Sequence, residues 1–213
     1  MRERDETSTE PVLRRLTRGL YWRYLSLSFR FGKVPRSSVF NFFKPRAPWP
    51  GHNDTWDSLE EYAQWLPDHV HWKRDPLYGA LDIFPDRGII AAAMRDKGVF
   101  EDDCDGLAYF SAQNLLDLLP DPSHIYIVTL VLDPYTFEEK ALFYAAHVIC
   151  VFRHEEVWRV ISNDTLYPNR FATFAEAVRD NPYCAAHPVL WLEVRTPDLK
   201  RVFAGRNPED FRP

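Results

Sequence analysis

Thiol acyl transfer needs a cysteine nucleophile, an imidazole that takes and returns its proton, and a third group that orients the imidazole. The chain offers these in order at Cys104, His147 and Asp164. Cys104 stands in "DDCDGLAYFSAQNLLDLLP", where Asp102 or Asp103 can cap a helix and Pro120 can end it. A cysteine at a helix N-terminus meets unpaired backbone N–H groups and the positive end of the dipole, which favour a thiolate and can serve an oxyanion. Asp102, Asp103 and Asp105 oppose that shift if they point toward the sulfur. His147 falls in an apolar, β-branched run, and a two-residue turn at Glu155–Glu156 would set Asp164 opposite it on the same face. A three-residue turn brings Asn163 there instead, so one residue of register decides between them.

The remaining metal-ligand and thiol side chains make weaker sets. Cys150 is three residues from His147, hence on the other face of a regular strand, and reads as a core cysteine. His124, His154, His187 and Cys184 form a zinc site only by free choice of loop geometry, and the chain has no HExxH, P-loop, dinucleotide fingerprint or EF-hand. No metal and no cofactor are expected. Three cysteines without CxxC spacing do not make a disulfide framework.

The elements that must hold these residues follow from periodicity. A short amphipathic helix is predicted in "DTWDSLEEYAQWL", breaking at Pro67, and a second from Asp86 or Gly88 to a stop at Gly98. The third carries Cys104 in its first turn and presents Leu107, Ala108, Ser111, Leu115, Leu118 and Leu119 on one face. Then the period changes. "IYIVTLVL" at 125–132, "ALFYAAHVICVFR" at 141–153 and "VWRVI" at 157–161 read as strands, "FATFAEAVRD" at 171–180 as a short helix, and "VLWLEV" at 189–194 as another strand. Helices followed by an antiparallel sheet make an α+β plan.

The 213 residues suit one domain with an appended segment, and 46% apolar residues with only eight glycines exclude collagen-like and fully disordered classes. The net charge of −5 averages two unlike regions: residues 1–50 hold eleven Lys/Arg and four Asp/Glu, the rest fifteen and twenty-seven. Residues 1–50 therefore read as a mobile N-terminus and a basic aromatic arm or linker, and 51–213 as the catalytic-looking domain. Within 11–50, Leu13, Leu16, Leu20, Tyr24, Leu27 and Phe31 recur at helical spacing, with Arg14, Arg15, Arg18 and Arg23 mostly on the remainder. The arm can pack on the acidic domain, lie on an anionic membrane surface, dock a protein partner or, ranked last, contact nucleic acid. No apolar run is long enough to span a bilayer, and "MRERDETSTE" has no signal-peptide core, so a cytoplasmic location is expected.

On "DDCDGLA", "AAHVICVF" and "RVISNDTLYP", residues 54–166 resemble the transglutaminase-like superfamily, especially its bacterial cysteine-peptidase branch. There a helix opens on a motif close to Gly-Asp-Cys-Asp-Asp-Tyr/Phe-Ala, followed by a strand histidine and a next-strand aspartate. Cys104, His147 and Asp164 match those positions. "HVHWKRDPLYGALDIF" is similar to the branch's extended segment ending in Asp-Pro, which implies framework or cleft roles for Trp72, Asp75 and Pro76. Asp102 stands where the motif has glycine, and Gly106 where it has a second acid. The resemblance implies a papain-like core and attack of Cys104 on a peptide or carboxamide carbonyl of a protein or peptide substrate. The acyl-enzyme would be resolved by water, as in a cysteine peptidase or amidase. Alternatives are amine transfer or deamidation of the transglutaminase type, or a catalytically inactive binding or structural protein.

Overall fold

The computed structural model describes residues 16, 17, 20, 56–73, 87–133, 136 and 146–213. The chain builds α1 (Leu59–His69), β1 (Val70–Trp72), α2 (Arg87–Lys97), β2 (Phe100–Asp102), α3 (Cys104–Leu118), β3 (Ile125–Leu132), β4 (Ala146–His154), β5 (Val157–Ser162), β6 (Thr165–Leu166), α4 (Phe174–Arg179), β7 (Val189–Arg195) and β8 (Arg201–Gly205). The six strands β3–β8 form one antiparallel sheet in the order β6-β5-β4-β3-β7-β8, while β1 and β2 pair in parallel beside it. This is a mixed α+β fold with helices packed on a multi-strand antiparallel sheet.

The central strands explain their own sequence. All eight residues of β3 are buried, as a strand covered on both faces requires, so apolar residues run continuously instead of alternating with polar ones. One face, with Ile125, Ile127, Val148, Cys150 and Phe152, packs under α1, α2 and α3. The other, with Tyr126, Val128, Leu130, Ile149, Val151 and Val160, is covered by Phe174, Ala177 and Val178 of α4 and by Phe211. Strand alternation sorts the residues between the two cores.

Local signals set the boundaries. Ser58 caps α1 by accepting from the Glu61 N–H, and α1 continues through Pro67 to His69 instead of breaking there. A proline that late in a helix forfeits one backbone hydrogen bond close to an end that is already short of them. Gly98 takes the left-handed φ of 66° that terminates α2. Glu155 and Glu156, at φ 49° and 65°, form the two-residue turn between β4 and β5, and the ladder runs from His154↔Val157 to Cys150↔Ile161. The register is the one the two-residue turn predicts.

Of the arm, Leu16, Thr17 and Leu20 are described; they are helical, and Leu16 and Leu20 are 59% and 63% exposed. The remainder of the arm, with Arg14, Arg15, Arg18 and Arg23, lies outside the described residues, as do Asp75 and Pro76. Among the described residues no helix is long and apolar enough to cross a membrane.

Candidate active site

Cys104 is the first residue of α3, with Asp103 as the extended N-cap whose carboxylate accepts from the Asp105 N–H at 3.2 Å. At its other end α3 reaches β3 through a short link containing a 3₁₀ turn at Pro122–His124, and it packs on β3 and β4. A helix of this length spans about 22 Å and an eight-residue strand about 26 Å, so α3 runs back along β3. Gln113, nine residues into the helix, already donates to Pro197 O near the start of β3, where β7 ends. Cys104 consequently lies toward the far end of β3, where Leu130 faces His147.

His147 sits one residue into β4 and is 4% exposed. Its Nε2 lies 2.8 Å from Ser162 Oγ, and its ring stands 4.0 Å from that of Tyr183, tilted by 30°. Burial lowers the imidazole pKa to about 4, so the resting ring is neutral at pH 7. Tyr183 reaches this point from the turn after α4, which Asn181 clamps. The fully buried Asn181 amide donates to Ala177 O and Val178 O and accepts from the Tyr183 and Cys184 N–H groups. The Tyr183 phenol is pushed up to about 12 by burial first and by the charge of nearby Cys104 second, with smaller contributions from Cys184 and Tyr167. Tyr183 thus touches His147 and feels Cys104.

Cys104 is half-buried against the α1–α3 core, whereas alternation puts His147 with Leu130 and Ile149 on the α4 side. The thiol and imidazole approach the same end of the sheet from opposite faces, and among the described residues no hydrogen bond joins them. The electrostatics of the helix start are crowded. Asp103 and Asp105 carboxylates occupy the N–H groups of Asp105 and Gly106, and Asp102 Oδ1 accepts from the Asp103 N–H at 3.0 Å. Three carboxylates therefore compete with a Cys104 thiolate for the positive end of α3.

The third group differs from the expectation. The β4–β5 ladder ends at Cys150↔Ile161, and Ser162 pairs with Thr165 across a turn made by Asn163 and Asp164. Asn163 adopts φ 53°, and Asp164 accepts from Thr165 Oγ1 at 2.9 Å. The turn carries Asp164 away from the rung it would have shared with His147, and Ser162 takes the imidazole contact. The signal was present: Ser162 is the diagonal neighbour of His147 on the same face, two residues before its expected opposite.

Cys150 and Cys184 are buried, and burial raises both thiols, Cys184 to about 11. His124 and His154 line a small cleft with Asp121 and Arg153, whereas His187 bonds Thr136 Oγ1 beyond the opposite end of β3. Among the described residues no three His, Cys, Asp or Glu side chains are grouped to hold a metal ion. Trp72, at the end of β1, is 49% exposed. Comparison of the chain with known protein families, with curated proteins and with solved structures finds no match.

Proposed function

We propose that the chain is a thiol hydrolase or acyltransferase of the transglutaminase-like, papain-like type. In it Cys104 is the nucleophile and His147 its proton acceptor and donor. The observation that carries this reading is the placement of Cys104, half-buried on the capped N-terminus of α3, toward the end of the sheet where β4 carries His147. A half-buried thiol at a helix start has the access that the buried Cys150 and Cys184 lack.

The two departures from the family motif support the same reading, because they are one exchange in space. A Cβ on Gly106 would lie 2.0 Å from Asp102 Oδ2, so the Asp102 side chain fills the room that a side chain at 106 would take. A carboxylate from position 102 thus stands beside residue 106, which carries none of its own.

In the proposed reaction the Cys104 thiol gives its proton to His147 as sulfur attacks a peptide or carboxamide carbonyl. The tetrahedral intermediate collapses to a thioester as the imidazolium returns the proton to the departing amine or ammonia. Water then adds to the thioester, His147 accepts its proton and returns it to the sulfur, and the acid leaves. An amine in place of water gives transamidation by the same steps. The reaction requires Cys104 Sγ to come within hydrogen-bond reach of the His147 ring, which means bringing the thiol around the end of the sheet that both approach.

A second reading, a binding or structural protein on the same scaffold, is favoured by His147 being neutral and engaged with Ser162. Glutamine-containing peptides offered to the wild type, C104A and H147A, with and without a primary amine, separate the two by mass spectrometry. Cleavage, deamidation or amine incorporation that vanishes in both variants while they stay folded supports the enzyme. Turnover that persists in C104A refutes it.

A further inference from the structure

We infer that Ser162 is the positioning residue for His147, accepting a hydrogen bond from Nε2–H so that the lone pair of Nδ1 is left to take the thiol proton. Its catalytic consequence rests on the thiol reading above.

Three features carry the assignment. The Nε2 to Oγ distance of 2.8 Å is that of a formed hydrogen bond, and both residues are buried, so water does not compete for either atom. Ser162 is held at both ends. It closes β5 and simultaneously starts the two-residue turn into β6, where it pairs with Thr165. Its Oγ is therefore aimed by the backbone of two strands. The opposite side of the ring is closed by Tyr183, fixed in turn by the Asn181 clamp. The imidazole is pinned edge and face, with one nitrogen assigned and the other not bonded to a described residue.

A serine in this place differs chemically from the carboxylate the spacing predicted. A neutral hydroxyl holds the tautomer without adding a negative charge that would stabilise an imidazolium. The design suits a neutral base that receives the thiol proton during attack, in preference to a preformed thiolate–imidazolium pair.

The test uses the full chain labelled with ¹⁵N-histidine, and iodoacetamide as the thiol probe, with the Cys104 adduct read by peptide mass spectrometry. In the wild type the His147 ¹⁵N shifts should report the Nε2–H tautomer. S162A should move them toward a mixture and slow Cys104 alkylation about five- to tenfold, the scale of one lost hydrogen bond. S162T, which keeps the hydroxyl, should restore both, which a mere packing role would not do. D164N should leave the ring signals in place. Unchanged ring shifts in S162A, failed rescue by S162T, or shifts that move in D164N each overturn the assignment. If S162A moves the ring but neither S162A nor H147A alters alkylation, Ser162 still positions the ring and the thiol reading is what fails.

Discussion

Replacing Gly106 by alanine should destabilise the wild-type chain and stabilise a chain that lacks the Asp102 side chain. Alanine is favoured over glycine inside a helix by about 1 kcal/mol, and Gly106 has an ordinary helical backbone, so G106A alone ought to help. The obstacle is Asp102. The new Cβ would stand 2.0 Å from Oδ2 and 2.4 Å from Cγ, whereas ordinary contact begins at 3.4 Å, so the carboxylate must swing away. Moving it breaks the 3.0 Å bond that Oδ1 accepts from the Asp103 N–H, a charged hydrogen bond with a net contribution of about 1.5–3 kcal/mol. The balance for G106A is a loss of about 0.5–2 kcal/mol. Truncation of Asp102 to alanine does not clear the site, because its Cβ would itself stand 2.9 Å from the new methyl group; glycine is needed. In a D102G background G106A should therefore gain about 1 kcal/mol, reversing its sign. Urea unfolding of the wild type, both single variants and D102G/G106A measures the coupling directly. Effects that add to within about 0.5 kcal/mol would show that the two positions do not share space, and the exchange argument would fall with them.

Other consequences follow from the buried groups and turns. Because burial holds His147 at about 4 against an ordinary 6.5, the unfolded chain binds the extra proton between those values. Stability should be full above pH 6.5 and fall by about 3 kcal/mol as pH drops toward 4, a slope that H147Q should flatten in urea titrations at pH 7.5 and 4.5. The Glu155–Glu156 turn has two positive φ values that asparagine and glycine adopt at less cost, so E155N/E156G should raise stability by about 1 kcal/mol without changing the ladder. N181A removes four hydrogen bonds from a buried clamp and should cost about 3 kcal/mol by thermal or urea unfolding, while loosening Tyr183 from the His147 ring.

The parts of the fold that were legible in the sequence are those where local chemistry and burial agree. β3 spans Ile125–Leu132, the whole of "IYIVTLVL", because a strand covered on both faces must be apolar throughout, and the Cys104 helix begins and ends where Asp103 and Pro120 place it. β8 gave no such signal. It lies at the sheet edge with all five of its residues exposed or half-exposed, so no alternation marks it, and it exists through pairing with β7. β1 and β2, three residues each, are likewise products of one another's presence. The continuation of α1 past Pro67 is a tertiary effect of the same kind: Leu66 and Val70 on either side are fully buried, and that packing outweighs one absent N–H.

Register and its termination are separate questions, and the site turns on the second. The two-residue turn at Glu155–Glu156 correctly phases β4 against β5, and that phase alone would bring Asp164 to His147. A ladder persists only while both strands stay extended. Asn163 leaves the extended region at φ 53°, which an asparagine tolerates better than most residues, and the chain folds back through Asp164 into β6. "SND" is thus at once the end of a strand and a hairpin turn, and the polar residue still on the strand, Ser162, is the one that meets the ring. Reading "Asn-Asp" as turn chemistry before reading it as catalytic chemistry would have placed the serine. In that turn the Asp164 carboxylate accepts from Thr165 Oγ1, the next residue along, while the strand residue Ser162 holds the ring.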